Sequence, residues 1–199
     1  LLPLLTLPLL LSAQPPEPQL TLNLDMHSAP INRIDLDAEG RYLLTASQDK
    51  TAKLWDLQSG ALLRTFRVPI GPGNEGRLDA GALSPDGQTV ALGGWTGYAW
   101  EREISIYLFD ASSGRLQRRL SGLSNVILDL EYSPDGRYLA AALGGEGIRV
   151  YRSADGQLLA EDLDYCDQSR NLAWDGRGRL ATVCWDGYVR LYNTDFHLL

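Results

Sequence analysis

Apolar and polar residues alternate with a period of two in short runs along this chain, and turn residues cut the runs every few positions. Leu43–Ser47 and Thr51–Trp55 are two such runs around the polar turn Gln48-Asp49-Lys50, a pattern that predicts a β-hairpin. Ile31–Leu36, followed by Asp37-Ala38-Glu39-Gly40, predicts a strand and turn before the hairpin. Leu57–Gly60 and Ala61–Phe66 predict a turn and strand after it. The unit is therefore four short antiparallel strands. No stretch sustains a 3.6-residue period, so no long helix is expected.

The unit recurs. Gly40, Gly87, Gly136 and Gly178 mark its first turn, and Trp55, Phe109, Tyr151 and Tyr192 close its third strand. Ser59-Gly60, Ser113-Gly114 and Asp155-Gly156 mark the turn that follows. The aromatic positions are 54, 42 and 41 residues apart, and the last two spacings match the roughly 40–45 residues of a WD40-type propeller blade. The longer first spacing reflects seven extra residues in the second turn of unit two, around Trp95–Glu103. The fold class expected is all-β: a WD40-type β-propeller of four four-stranded blades over about 27–66, 78–120, 126–160 and 171–199. Leu20, Leu22 and Leu24 alternate with polar residues, so 20–25 is expected to be an extra strand that completes a different blade. The fourth blade reaches only Phe196–Leu199 where its outer strand is due. An open, incomplete ring with apolar flanks on its end blades follows.

Composition changes this picture little, and charge narrows it. With 44% hydrophobic residues the chain can bury a sizeable core, and its 20 glycines and 10 prolines suit a turn-rich β protein. The net charge of −7 is spread without a basic stripe, which argues against nucleic acid as a partner. Residues 1–12, LLPLLTLPLLLS, are apolar and uncharged, too few to cross a bilayer but suited to the core of a signal peptide. Residues 1–13, ending at Ala13, read as a truncated signal peptide and 14–19 as a Pro-rich linker. The other reading is a buried strand or an apolar tail, which Pro3 and Pro8 disfavour. An exported chain, periplasmic or extracellular and bacterial, is expected, with no stable membrane insertion of the mature protein.

Little in the sequence points to catalysis. His27, Ser47 (or Thr45), Asp49 and Trp55 stand at the positions of the hydrogen-bonded structural tetrad of a WD40 blade, where buried ring N–H groups need partners. The other reading, His27 with Asp49 as a catalytic pair, has no nucleophile beside it. Gly71-Pro72-Gly73-Asn74-Glu75-Gly76 spells G-x-G-x-x-G, but a strand follows rather than the helix a dinucleotide site needs. No G-x-S-x-G occurs, and two His with two isolated Cys give no metal-ligand spacing. No catalytic residue, metal or cofactor is expected, and the chain reads as not an enzyme.

The wording of IGPGNEG, SIYLFDASSGRL, YSPDGRYLAAALGG, IRVYR and RLATVCWDGYVRLY over residues 20–199 is similar to the WD40 region of bacterial exported caspase-family (clan CD) peptidases. The resemblance implies further blades and often a peptidase domain elsewhere in the parent protein. Neither DYCDQS nor TVCWDG resembles the nucleophile signature of such a peptidase.

Two function classes remain. One is a non-catalytic platform that binds a protein or peptide; the alternative is a propeller enzyme or small-ligand sensor using the central channel. A channel enzyme should show converging carboxylates or His with perturbed pKa, and a platform should show aromatic and Arg residues on one rim. The rim expected comprises Asn74, Glu75 and Arg77 in one loop, Trp95, Tyr98, Trp100 and Arg102 in the blade-two insertion, and Tyr165, Arg170 and Trp185 in blade four. The insertion could instead fold back and bury Trp95 and Trp100 as a satellite core. Cys166 and Cys184 fall near the His and Ser positions of blade four, so a disulfide or two small buried thiols are both open.

Overall fold

The computed structural model describes residues 25–98 and 103–199. The signal and linker segments, and residues 20–24 of the extra strand, lie outside the described residues. Every regular element described is a strand. The first sheet is β1 (Ile31–Leu36), β2 (Tyr42–Ser47), β3 (Ala52–Asp56) and β4 (Leu62–Phe66), in sequential antiparallel order. The second holds β5 (Leu78–Leu83), β6 (Thr89–Gly94), the two-residue β7 (Gly97–Tyr98), β8 (Glu103–Asp110) and β9 (Leu116–Leu123). Here β7 pairs with the start of β8, so the insertion extends the blade's central hairpin instead of adding a separate element. The third is β10 (Ile127–Tyr132), β11 (Tyr138–Leu143), β12 (Ile148–Arg152) and β13 (Leu158–Asp162). The fourth holds β14 (Ser169–Trp174), β15 (Leu180–Cys184) and β16 (Val189–Tyr192). Its fourth strand is reduced to one bridge, Tyr192 with Leu198.

The turns explain why the chain reverses where it does. In blade two the Ser84 hydroxyl donates to Asp86 Oδ1 at 2.5 Å, and that oxygen accepts the Gln88 N–H at 2.9 Å. Blade three repeats the device: Ser133 donates to Asp135 Oδ1 at 2.6 Å, and Tyr138 N–H donates back to Ser133 Oγ at 3.0 Å. The glycine that ends each turn, Gly87 or Gly136, sits at a φ of 73° or 72°, where a side chain would be strained.

Successive residues of a strand point to opposite faces, and this chain uses both faces of its inner blades. In β11, Leu139, Ala141 and Leu143 join a core with Ala80, Ala82, Ile106 and Leu108 of blade two. The alternate residues Ala140 and Ala142 join Leu172, Leu180, Cys184 and Tyr192 of blade four. A third core joins Leu44, Ala46, Leu54 and Phe66 of blade one to Val90, Leu92, Tyr107 and Phe109 of blade two. Close approach of the blades depends on small residues: a Cβ on Gly93 would come within 2.8 Å of the Ile127 side chain. Among the described residues, the three cores run one to two, two to three and three to four, and none joins four to one. The propeller fragment is open. Its end blades carry the expected exposed apolar residues, with Ile34 68% exposed in blade one and Val189 72% exposed in blade four.

Blade one holds the tetrad, with one change in membership. Trp55 Nε1–H donates to Thr45 Oγ1 at 3.0 Å, and Thr45 Oγ1 lies 2.8 Å from His27 Nε2. The other ring nitrogen, Nδ1, is 2.9 Å from Asp49 Oδ2. A carboxylate can only accept, so Nδ1 carries a proton and donates to Asp49, while the Thr45 hydroxyl also reaches the Lys53 carbonyl at 3.3 Å. Thr45, not Ser47, is the hydroxyl of this chain. Ser47 lies two residues on, at the end of the same face, and donates instead to the Pro30 carbonyl at 3.0 Å.

Blade four rebuilds the same chain from tyrosines. Tyr165 stands at the His position, its hydroxyl 2.6 Å from Thr182 Oγ1 and 2.8 Å from the Tyr192 hydroxyl. Tyr192, at the Trp position, donates to Asp162 Oδ2 at 2.6 Å. Tyr165 is therefore buried in the blade and is not a rim residue, which corrects the sequence expectation. The disulfide expectation is corrected too: both cysteines are free thiols. Tyr165 takes the inward position, so Cys166 next to it faces solvent, while Cys184 is buried and lies opposite Ser169.

Replacing Thr45 or Thr182 by Val keeps the shape and removes the shared hydroxyl. Each variant should lose about 1–3 kcal/mol in urea denaturation, the cost of buried polar groups left without a partner. Losses near zero for both would show that the two chains do not stabilise their blades.

Candidate functional site

Two regions concentrate functional chemistry: one rim, and the axis where the four inner strands β1, β5, β10 and β14 converge. On the rim, Asn74 and Glu75 belong to a tight loop closed by Arg77 N–H donating to the Asn74 carbonyl at 2.7 Å. The loop is tied to the insertion, because Gly76 N–H donates to the Trp95 carbonyl at 2.8 Å and Trp95 N–H to the Arg77 carbonyl at 2.9 Å. Trp95 remains 38% exposed. Arg77 pairs with Asp79 at 3.1 Å. Tyr98 is placed by its backbone pairing with Glu103, and Trp100 and Arg102 lie outside the described residues.

Across the axis, the Arg170 guanidinium stacks 3.9 Å above the ring of Trp185, a cation–π contact. Trp185 is 62% exposed. Tyr188, in the same turn, is 67% exposed and lies 5.7 Å from the Arg190 guanidinium. Sequence reading missed Tyr188. Its signal was a turn, W-D-G-Y, that carries two aromatics where a surface turn is ordinarily polar. The two halves of the rim meet through Asp79, which feels the charges of Arg77, Arg170 and Arg33.

The axis is held by Arg33 of β1. Its guanidinium donates to the Leu128 carbonyl of blade three at 3.0 Å and the Arg170 carbonyl of blade four at 2.9 Å. It also forms an ion pair with Asp129 at 3.1 Å. Asp129 accepts Leu172 N–H of the next blade at 2.8 Å, and Asp35 accepts Leu83 N–H of its next blade at 2.7 Å. Burial raises the pKa of Asp35 and lifts Asp129 to about 6. Glu131 rises to about 7, chiefly through burial and then through the charges of Asp129 and Asp35. Asp35 and Glu131 border a cleft of about 240 Å³.

Comparison with known proteins bears on this geometry. Residues 18–56, which include the tetrad of blade one, match the family model "WD40: WD domain, G-beta repeat". The fold is that of a WD40 propeller. The chain is 23% identical over 171 residues to Periodic tryptophan protein 2 homolog of Dictyostelium discoideum, covering 84% of this chain and 18% of that protein. It is 29% identical over 123 residues to Protein LST8 homolog of Drosophila melanogaster, covering 61% and 35%. It is 35% identical over 103 residues to Ribosome biogenesis protein WDR12 homolog of Drosophila persimilis, covering 49% and 23%. The chain thus spans about a fifth to a third of the length of these relatives.

The WD40 axis does show converging carboxylates with raised pKa, the feature expected of a catalytic channel. Their partners give them another role. Asp35 and Asp129 each hold a backbone N–H of the adjoining blade, so they act as ties between blades. No group of three or more His, Cys, Asp or Glu that could hold a metal ion occurs among the described residues. Neither His lies at the axis: His27 is engaged in the tetrad, and His197 follows β16, its carbonyl accepting Asn193 N–H at 2.9 Å.

The raised carboxylates make stability depend on pH with a definite sign. Asp129 and Glu131 bind protons in the folded state at pH values where the unfolded chain has released them. The native state then holds more protons, and stability falls as pH rises through about 5 to 7. The melting temperature should therefore rise on acidification from pH 8 to pH 5.5, and Glu131→Gln should flatten that dependence. A melting temperature that falls over this window, or a Glu131→Gln profile parallel to the parent's, would contradict the assignment.

Proposed function

We propose that this chain is a non-catalytic protein-interaction platform whose binding surface is the rim formed by the blade-two loop and insertion and by the blade-four turn. The observation that carries the reading is the exposed Trp185 with Arg170 stacked on it and Tyr188 beside it. Trp, Tyr and Arg dominate binding hot spots because they bury large areas at modest entropic cost. A partner of protein or peptide nature suits such a surface, which offers flat aromatic faces flanked by paired charges. Trp95 extends it across the axis. The similarity to WD repeat proteins supports the same reading.

The finer setting is also proposed. The apolar run of residues 1–12 supports export from a bacterial cell, and the strand wording of blades two to four supports a place in a larger protein beside a caspase-like peptidase domain. There the propeller would recognise or regulate. The axial carboxylates, Glu131 above all, favour a second reading as a small-ligand sensor at the axis.

The two readings separate in one experiment. Trp185→Ser with Tyr188→Ser should abolish capture of the partner from an extract of the source cells while shifting the melting temperature little, since both side chains are mostly exposed. Glu131→Gln should leave capture intact. Capture that survives the rim double variant, or that is lost with Glu131→Gln, would overturn the rim as the binding surface.

A further inference from the structure

The face opposite the rim, where the SPDG turns open, carries a cleft of about 560 Å³ between blades two and three. Leu108, Arg118, Tyr132, Tyr138, Arg152 and Ser153 shape it. Two polar atoms of this lining are buried without a hydrogen-bond partner, Arg118 Nη1 and Ser153 Oγ. Native interiors rarely leave such groups unmatched, and an unmatched pair in one cleft points to a ligand that completes it.

The charges around the cleft decide what that ligand is. Asp86 and Asp135 also border it, but their carboxylates are engaged by the turn itself, Asp86 by Ser84 and Gln88 and Asp135 by Ser133 and Arg137. Arg137 pairs with Asp135 at 2.6 Å and Arg152 with Asp155 at 2.9 Å. Among the described residues Arg118 forms no salt bridge; its charge is felt by Asp155, which is already paired with Arg152, and its Nη1 stays without a hydrogen-bond partner for a ligand to take. Burial pushes the Tyr132 hydroxyl well above its ordinary pKa, so it stays a neutral donor. Leu108 and the rings of Tyr132 and Tyr138 supply apolar wall. A bare inorganic anion would leave that wall uncovered.

A smaller cleft between blades one and two provides an internal control. It measures about 270 Å³, and its lining has Arg64 at the Arg118 position but Ala111 at the Ser153 position. No buried polar atom of that lining lacks a partner.

We propose that the cleft between blades two and three binds an organic carboxylate with an apolar body, its oxygens taken by Arg118 and Ser153. An acidic residue flanked by apolar residues in a partner polypeptide and a free aromatic acid share this chemistry. The site is separate from the rim and does not depend on the rim reading.

Calorimetric titration of the full chain at low salt tests it with three probes: acetyl-Phe-Glu-Phe-amide, its glutaminyl isostere, and phenylacetate. The glutamyl peptide should bind about tenfold or more tightly than the isostere, as a charge-assisted contact requires. Arg118→Gln should abolish that preference, and Arg64→Gln should preserve it. Phenylacetate binding that equals the peptide's would identify a free acid as the ligand source, and peptide binding alone would identify a polypeptide. If Arg118→Gln loses the native fold, Ser153→Val, which removes the hydroxyl and puts a methyl group in its place, carries the test with the same expected loss. Failure of every probe to bind, equal binding of the two peptides, or an undiminished preference in the Arg118→Gln or Ser153→Val variant would overturn the proposal.

Discussion

One guanidinium at the axis sets the geometry of the rest. Arg33 leaves blade one and reaches carbonyls of blades three and four and the carboxylate of Asp129. The blades pack in series through apolar faces, and such packing has no direction of its own. A planar fork with fixed donor directions supplies that direction, since each of its bonds fixes a distance across the axis. Asp35 and Asp129 do the same between adjoining blades by holding the N–H groups of Leu83 and Leu172. The raised pKa values at the axis are then a consequence of building ties from buried carboxylates. The same burial that makes these groups resemble catalytic acids makes them effective as struts.

The rim gains its character from its hairpins. Trp185 and Tyr188 stand exposed at the tip of the β15–β16 hairpin, whose strands pack through Leu180, Cys184 and Tyr192 into the core shared with blade three. Blade four keeps that hairpin rigid with tyrosine hydroxyls where blade one uses imidazole and indole. Both chains share a threonine at the centre, Thr45 or Thr182, because one hydroxyl can accept from one neighbour and donate to another. The platform is a set of firm hairpins carrying exposed aromatic tips, a form suited to binding with little loss of entropy.

Much of the fold was legible because it is written in local signals. Alternation, SPDG turns and the closing aromatic of each third strand locate the strands to within a residue or two, and the insertion at Trp95–Glu103 is visible as extra spacing. What the sequence hid were choices between neighbours. Thr45 and Ser47 are both small hydroxyl residues on one face of one strand, and only the fold shows which one lies within reach of His27. Tyr165 reads as a rim aromatic because its burial depends on Thr182 and Tyr192, which are distant in sequence. Cys166 and Cys184 fall near positions that meet in a regular blade, yet Tyr165 takes the inward place and Cys166 faces solvent. The reach of Arg33 across the axis leaves no local trace at all, since its partners come from three other strand positions more than 90 residues away.

The central claim is that Arg33 and Asp129 are a structural tie, and a double-mutant cycle in urea denaturation tests it most directly. Arg33→Met alone should destabilise the chain by about 2–4 kcal/mol, because it strands a buried carboxylate. Asp129→Asn and the double variant complete the cycle, and the pair should show a coupling of about 1–3 kcal/mol. A coupling near zero, with Arg33→Met as stable as the parent, would contradict the account and return the axial carboxylates to the list of groups held for chemistry.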